Sequence, residues 1–317
     1  MGRRRKGQDV NGWLVLDKAV GLTSTEAVSR VRRFFDARKA GHAGTLDPLA
    51  SGLLPIALGE ATKTVPVLME GAKRYRFTIR WGEARATDDL EGPVEATSAA
   101  RPSQADIEGQ LPAFIGDIAQ LPPRYSAVKI NGERAYDLAR RGENPEPKSR
   151  CVTVHDLKLI ACPDRDHATL ELACGKGTYV RSLARDLGKA LGTYGAVSDL
   201  RRTGVSPFLE EDAISLEKLD LIGNSAAHQE ALLPVATALD DIPALAVNEV
   251  EAARLRSGQP IRIIGRTVLT RNPPSSQSAG RHKGTAYAEL VTGAQRQPVA
   301  LGTVRAGEFR PSRVFNL

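Results

Sequence analysis

The chain has 317 residues, 41% of them apolar and 26% charged, an ordinary globular balance with room for about two domains. Its net charge of +7 suits an anionic partner such as nucleic acid without demanding one. Three cysteines without CxxC spacing argue against a disulfide framework or zinc site, and no run approaches the ~18 apolar residues of a membrane span, so a reducing, cytoplasmic setting is expected.

In chain order, the basic start at 1–6 is followed by no apolar signal core. It reads as a solvated tail to about residue 10, with an electrostatic arm as the alternative. Residues 12–17 (GWLVLD) predict a strand. Thr23 or Ser24 can cap a helix whose Ala27, Val28, Val31, Phe34 and Phe35 share one face. A turn at 41–52 leads to a short buried element at 53–58. The alternation at 73–81 predicts a half-buried strand, with Tyr75, Phe77 and Ile79 inward and Arg74, Arg76, Thr78 and Arg80 outward. Residues 87–92 (TDDLEG) form an acidic turn. Pro102 and Ser103 open a helix to about 114, and Asn131-Gly132 marks a turn before a helix at 133–141. Strands are predicted at 152–160 and 168–174, then an amphipathic helix at 178–191 ended by Gly192.

Near residue 240 the character changes. Residues 242–245 form a linker or lead-in strand, 250–256 a short helix, and strands are predicted at 260–264, 286–291, 299–304 and 313–317. The Ser/Gly/Pro-rich stretch 271–283 is expected to be a mobile loop. Strands and helices mix without a βαβ rhythm. The fold class is therefore α+β, with a mixed, largely antiparallel sheet flanked by helices and a small β domain behind it. With no exposed heptad or long apolar edge, a monomer is expected.

There is no P-loop, no GxGxxG after a strand, no GxSxG and no HExxH. The histidines at 42, 155, 167, 228 and 282 are scattered. Asp88, Asp89 and Glu91 could hold a cation, although an acidic turn is more often merely solvated. What remains is Asp47, set among Gly41, Gly44, Pro48 and Gly52. Pro48 keeps Asp47 out of helical geometry, so the segment presents one carboxylate on a shaped turn. Alone, an Asp-Pro turn is structural more often than catalytic. His42 reads as a loop hydrogen-bonding group and Tyr75 as core. Arg181 sits at the start of a helix, the wrong end for its charge, which points to a specific anionic partner. Arg74, Arg76 and Arg80 suit either phosphates or water.

GHAGTLDPLASGLLPIALGEATK (41–63) resembles the signature of the TruB-type tRNA pseudouridine-55 synthases. LDKAVGLTS (16–24), KRYRFTIRWG (73–82), PPRYSAVKINGERAYDLARRGE (122–143), GKGTYVRSLARDLG (175–188) and LRRTGVSPF (200–208) follow the family's order. The resemblance implies a pseudouridine-synthase-type domain over 1–238 and, from weaker motifs at 254–258, 300–302 and 311–317, a PUA-like RNA-binding domain over 239–317. It implies isomerisation of uridine 55 in the T arm of tRNA, with no cofactor and no metal. By position, Asp47 matches the catalytic aspartate and Tyr75 the tyrosine that stacks on the base. Arg181 matches the arginine that pairs with the catalytic carboxylate. His42 matches a histidine beside the flipped nucleotide, Leu200 a pocket wall and Lys18 a lysine near the site. Ala19 departs from the family's usual proline. Rival readings are an RNA-binding protein without catalysis, a metal-dependent hydrolase using Asp47, Asp88 and Asp89, and the same chemistry on ribosomal or messenger RNA.

Overall fold

The computed structural model describes residues 7–126, 128–130, 132–143, 147–223, 230–263, 284–292 and 295–317. The first six residues, Asn131 of the expected turn and the loop expected at 271–283 lie outside them. In chain order the elements are β1 (Gly12–Lys18), α1 (Ser24–Phe34), β2 (Ala40–His42), β3 (Ser51–Leu58), α2 (Val65–Glu70) and β4 (Lys73–Trp81). Then come β5 (Glu83–Arg85), β6 (Val94–Thr97), α3 (Gln104–Gln110), β7 (Gly116–Gln120), β8 (Lys129–Ile130), β9 (Glu133–Arg134) and α4 (Ala135–Arg140). They continue as β10 (Arg150–Asp164), β11 (His167–Cys174), α5 (Val180–Ala190), β12 (Gly195–Val205), β13 (Phe208–Leu209) and α6 (Leu216–Ile222). The last are β14 (Ala244–Val247), α7 (Glu249–Arg256), β15 (Ile261–Arg262), β16 (Thr285–Thr292), β17 (Gln295–Arg305) and β18 (Glu308–Val314). No helix among the described residues is long and apolar enough to cross a membrane.

The chain divides into two compact units. One comprises Met1–Pro48, Gly52–Gly71 and Gly204–Leu317, the other Leu49–Ser51 and Ala72–Thr203. In the first, β1 runs antiparallel to β3 from Gly12↔Leu58 to Lys18↔Gly52, and β2 pairs with β3 through His42↔Ile56. β3 is buried from Gly52 to Leu58, which explains its unbroken apolar run. Thr23, not Ser24, caps α1, exchanging bonds with Glu26 in a capping box. A separate five-stranded sheet runs β14-β16-β17-β18-β15, with β14 parallel to β16 and the other pairs antiparallel. The last predicted strand is displaced: β18 ends at Val314, and Phe315 turns into the core.

That core joins Trp13, Val15, Leu53, Phe208, Tyr287 and Phe315, so residues on both sides of position 239 share it. Trp13 and Phe208 meet with ring centroids 5.7 Å apart. Lys63 Nζ donates to Val314 O at 2.7 Å and the Asn316 amide to Glu60 Oε2 at 2.8 Å, tying the end of the chain to the segment behind β3. The expected solvated tail is shorter than the sequence suggests. The Gln8 amide donates to Asp36 O at 2.6 Å, Arg38 N–H donates to Gln8 O at 2.9 Å, and Asp9 pairs with Arg38, so the chain is held from Gln8 onward.

In the second unit the strand order is β12-β4-β11-β10-β7. β4 aligns with β11 from Lys73↔Cys174 to Arg80↔His167, and its inner row Phe77, Ile79 and Trp81 is buried. β12 and β7 were not anticipated. The helix expected at 133–141 begins only at Ala135, because Glu133 and Arg134 pair with Ile130 and Lys129 in a small hairpin. The cysteines are unpaired, and burial pushes the Cys174 thiol up to about 11.

Phe315 is 1% exposed. Phe315→Ala should lower the unfolding free energy by about 3–5 kcal/mol, read from urea titration. A loss below roughly 1 kcal/mol would show that the chain's end contributes little to this core.

Candidate active site

The Asp47 turn is fixed by its neighbours on both sides, within the first unit. The Ser24 hydroxyl, at the start of α1, donates to Leu46 O at 3.0 Å and accepts from Leu46 N–H at 2.9 Å. On the other side, Pro48 O accepts from Gly21 N–H at 2.8 Å and from Lys18 Nζ at 3.4 Å. Lys18 is fully buried at the end of β1, and its ammonium also donates to Ala19 O at 2.9 Å and Leu22 O at 2.8 Å. A buried ammonium is tolerable only with such acceptors. Three residues of the 16–24 block therefore hold the peptide groups either side of Asp47. Gly44 and Gly52 take φ of 95° and 96°, the left-handed region that glycine tolerates, and Gly41 does not need it. Leu46 and Ala50 are buried, while Asp47 is half-buried. His42 is half-buried at the end of β2, opposite Ile56.

Tyr75, Arg181 and Leu200 belong to the second unit. Tyr75 lies on β4 opposite Leu172. It shares the inner row with the fully buried Phe77 and Ile79 but is itself only half-buried. Leu200 is buried on β12. Arg181 stands in the first turn of α5 and is 6% exposed. Its Nη1 donates to Thr87 O at 2.8 Å and lies 3.3 Å from Asp89 Oδ2, while Nη2 donates to Tyr125 O at 3.0 Å. The anionic partner demanded by an arginine at a helix start is thus present in Asp89.

The acidic turn is not the solvated turn it resembles in sequence. Asp89 is 1% exposed, and its Oδ1 accepts from the Thr87 hydroxyl and from Glu91 N–H. Asp88, at φ 60°, pairs with Arg185 at 2.9 Å. Burial pushes the Asp88 carboxyl above its usual range, against the pull of Arg185 and Arg181. The Val197 amide donates to Asp88 O, and the Leu90 amide to Val197 O, fastening the turn to β12. Asp88 and Asp89 are engaged by arginines, and among the described residues no three His, Cys, Asp or Glu side chains are grouped to hold a metal. The sequence offers Asp89 only as a cation ligand or a solvated acid, and its pairing with Arg181 was not foreseen. Its available signal was two adjacent acids matched by Arg181 and Arg185, four apart on one helix face.

α5 also holds the segment before β8. Ser182 Oγ and Arg185 Nη2 donate to Leu121 O at 2.7 and 2.8 Å. Gln120 exchanges two bonds with the Tyr179 backbone, at 2.8 and 3.1 Å. On β4, Arg76 pairs with Glu171 at 2.7 Å and Arg80 with Glu83 at 3.0 Å, so much of that row's positive charge is already compensated.

Removing one partner of a buried ion pair leaves the other uncompensated. Asp89→Asn should therefore cost about 3–5 kcal/mol in a urea unfolding series. A change within roughly 0.5 kcal/mol would show that Asp89 is not needed to compensate Arg181.

Residues 32–180 match the model described as TruB family pseudouridylate synthase (N terminal domain). Residues 181–240 match the tRNA pseudouridylate synthase B C-terminal domain. The chain is 54% identical over 320 residues to the tRNA pseudouridine synthase B of Caulobacter vibrioides, covering 100% of both. It is 56% identical to that of Bradyrhizobium diazoefficiens, over 99% of this chain and 88% of the other. Its fold is similar to a chain in the crystal structure of a Cbf5-Nop10-Gar1 complex, with TM-score 0.73 and 26% identity over 96% of this chain and 84% of that one. The chain belongs to the TruB family of pseudouridylate synthases, enzymes of the isomerase class.

Proposed function

We propose that this chain converts uridine 55 in the T loop of tRNA to pseudouridine in the cytoplasm, acting as a monomer without cofactor or metal. The observation that carries the reading is the clamped Asp47 turn: the residues either side of this carboxylate, Leu46 and Pro48, are held in place by Ser24, Gly21 and Lys18. Full-length relatives named tRNA pseudouridine synthase B supply the substrate class.

In the reaction the N1–C1′ bond breaks, the uracil turns, and C5 bonds to C1′ while its proton departs to N1 or solvent. Nothing is oxidised and no group is added. The step calls for an ionised carboxylate beside the sugar and base, and Asp47 supplies it. Arg181, whose guanidinium is held by Asp89 and two carbonyls, is the cation proposed to pair with that carboxylate. The target base must leave its stack and is flipped into the site. Tyr75, half-exposed at the end of a buried row, offers a ring face that recovers roughly 1–3 kcal/mol of the unstacking cost. Leu200 walls the pocket, His42 flanks the flipped nucleotide, and Lys18 positions the Asp47 turn rather than touching substrate. Residues 1–238 form the catalytic domain and 239–317 a PUA-like domain that contacts RNA.

Asp47→Asn keeps the shape of the turn and removes the charge. It should abolish pseudouridine formation in unmodified tRNA, mapped at nucleotide resolution by chemical labelling, while Kd for tRNA stays within about threefold. Turnover near the wild-type rate would remove Asp47 from its role, and pseudouridine at a different nucleotide would overturn the target.

A further inference from the structure

The first unit carries a cluster of positive charge that the chemistry above does not use. α1 buries Ser24, Ala27 and Val31, and its outer surface carries Arg30, Arg32 and Arg33. Arg38 and Lys39 follow in the turn before β2, and all five are exposed. Arg38 is neutralised by Asp9. Arg32 donates Nε to Ala37 O at 3.2 Å. Among the described residues, Arg30, Arg32, Arg33 and Lys39 form no ion pair with a carboxylate, and Glu26 is held in the helix cap by Thr23 at 2.7 and 3.0 Å. This contrasts with Arg76 and Arg80 on β4, each matched to a glutamate.

The backbone holds the end of this face in place. The bonds from Gln8 N–H to Asp36 O and from Arg38 N–H to Gln8 O fasten Gln8 beside the end of α1. Glu26 and Glu217 lie near enough to Arg30 to feel its charge, but neither forms an ion pair with it. Gathering like charges with so few counter-charges opposes folding, and an anionic partner reverses that cost. α1 has 11 residues, about 16 Å of axis, against one phosphate per roughly 1.7 Å of duplex axis, so the surface can meet several phosphates. Its apolar side is turned into the core, leaving no exposed apolar stripe of the kind a membrane-surface helix inserts.

We propose that the outer face of α1, with Lys39, grips RNA phosphates away from the target nucleotide. The inference rests on the tRNA reading above. Ser24, at one end of α1, holds the Asp47 turn, and Arg33 stands about 13 Å further along the same axis. One rigid helix thereby links a phosphate grip to the reactive carboxylate.

The test is the full-length Arg30→Gln/Arg33→Gln/Lys39→Gln variant, which leaves the Arg32 bond to Ala37 intact. Kd for unmodified tRNA is measured from about 50 to 200 mM salt, with Arg76→Gln as control. The triple variant should bind about tenfold more weakly, and its slope of log affinity on log salt should shrink by roughly 2. Its single-turnover rate at saturating tRNA should stay at the wild-type value, and Arg76→Gln should change neither quantity. An unchanged slope with Kd within twofold of wild type would overturn the proposal. So would unchanged tRNA binding accompanied by lost binding to anionic phosphatidylserine vesicles. Failure of the wild-type protein to form pseudouridine in tRNA would instead overturn the substrate reading.

Discussion

One constraint governs the site, the capture of the backbone of Leu46 and Pro48 on either side of Asp47. The Ser24 hydroxyl satisfies both the N–H and the C=O of Leu46, and Gly21 and Lys18 converge on the carbonyl of Pro48. Buried backbone groups need partners wherever they lie. Here their partners come from a segment more than twenty residues earlier, so the requirement for hydrogen bonds also sets where the carboxylate stands. β1 and β3 supply the frame, since their register brings Lys18 opposite Gly52 and closes the turn between them.

A similar device recurs in the second unit. Arg181 is oriented by two backbone carbonyls and a buried carboxylate, much as Lys18 is oriented by three carbonyls. Burying a cation is unfavourable unless its donors are matched. Matched donors remove its rotational freedom, and that is what a reaction sensitive to sub-ångström placement requires. The acidic turn, fastened to β12 by Val197, carries this orientation into the sheet.

Much of this was legible in the sequence where a single physical period dominated. β4 falls at 73–81 as its alternation indicates, and α1 and α5 follow their apolar spacing. Legibility failed where tertiary partners decided. β12 includes Gly195, Ser198, Asp199, Arg201, Arg202 and Gly204, so its strand character comes from burial between neighbours rather than from a pattern. Asp88 and Asp89 look solvated until Arg181 and Arg185 are seen to cover them. Ser24 looks like a helix cap, yet Thr23 takes that role and frees Ser24 for Leu46. The α1 arginines look like an ordinary solvated face until their lack of ion pairs among the described residues is set beside the paired Arg76 and Arg80 of β4.

The central claim, that catalysis depends on the held shape of the Asp47 turn, is tested most directly by single-turnover pseudouridine formation with Ser24→Ala at saturating tRNA. The substitution strips Leu46 of both side-chain bonds and touches no charged group. Displacement of a reacting group by about 1 Å can cost on the order of a hundredfold in rate. The account predicts a fall of that order with tRNA affinity within about twofold of wild type, and a wild-type rate would contradict it.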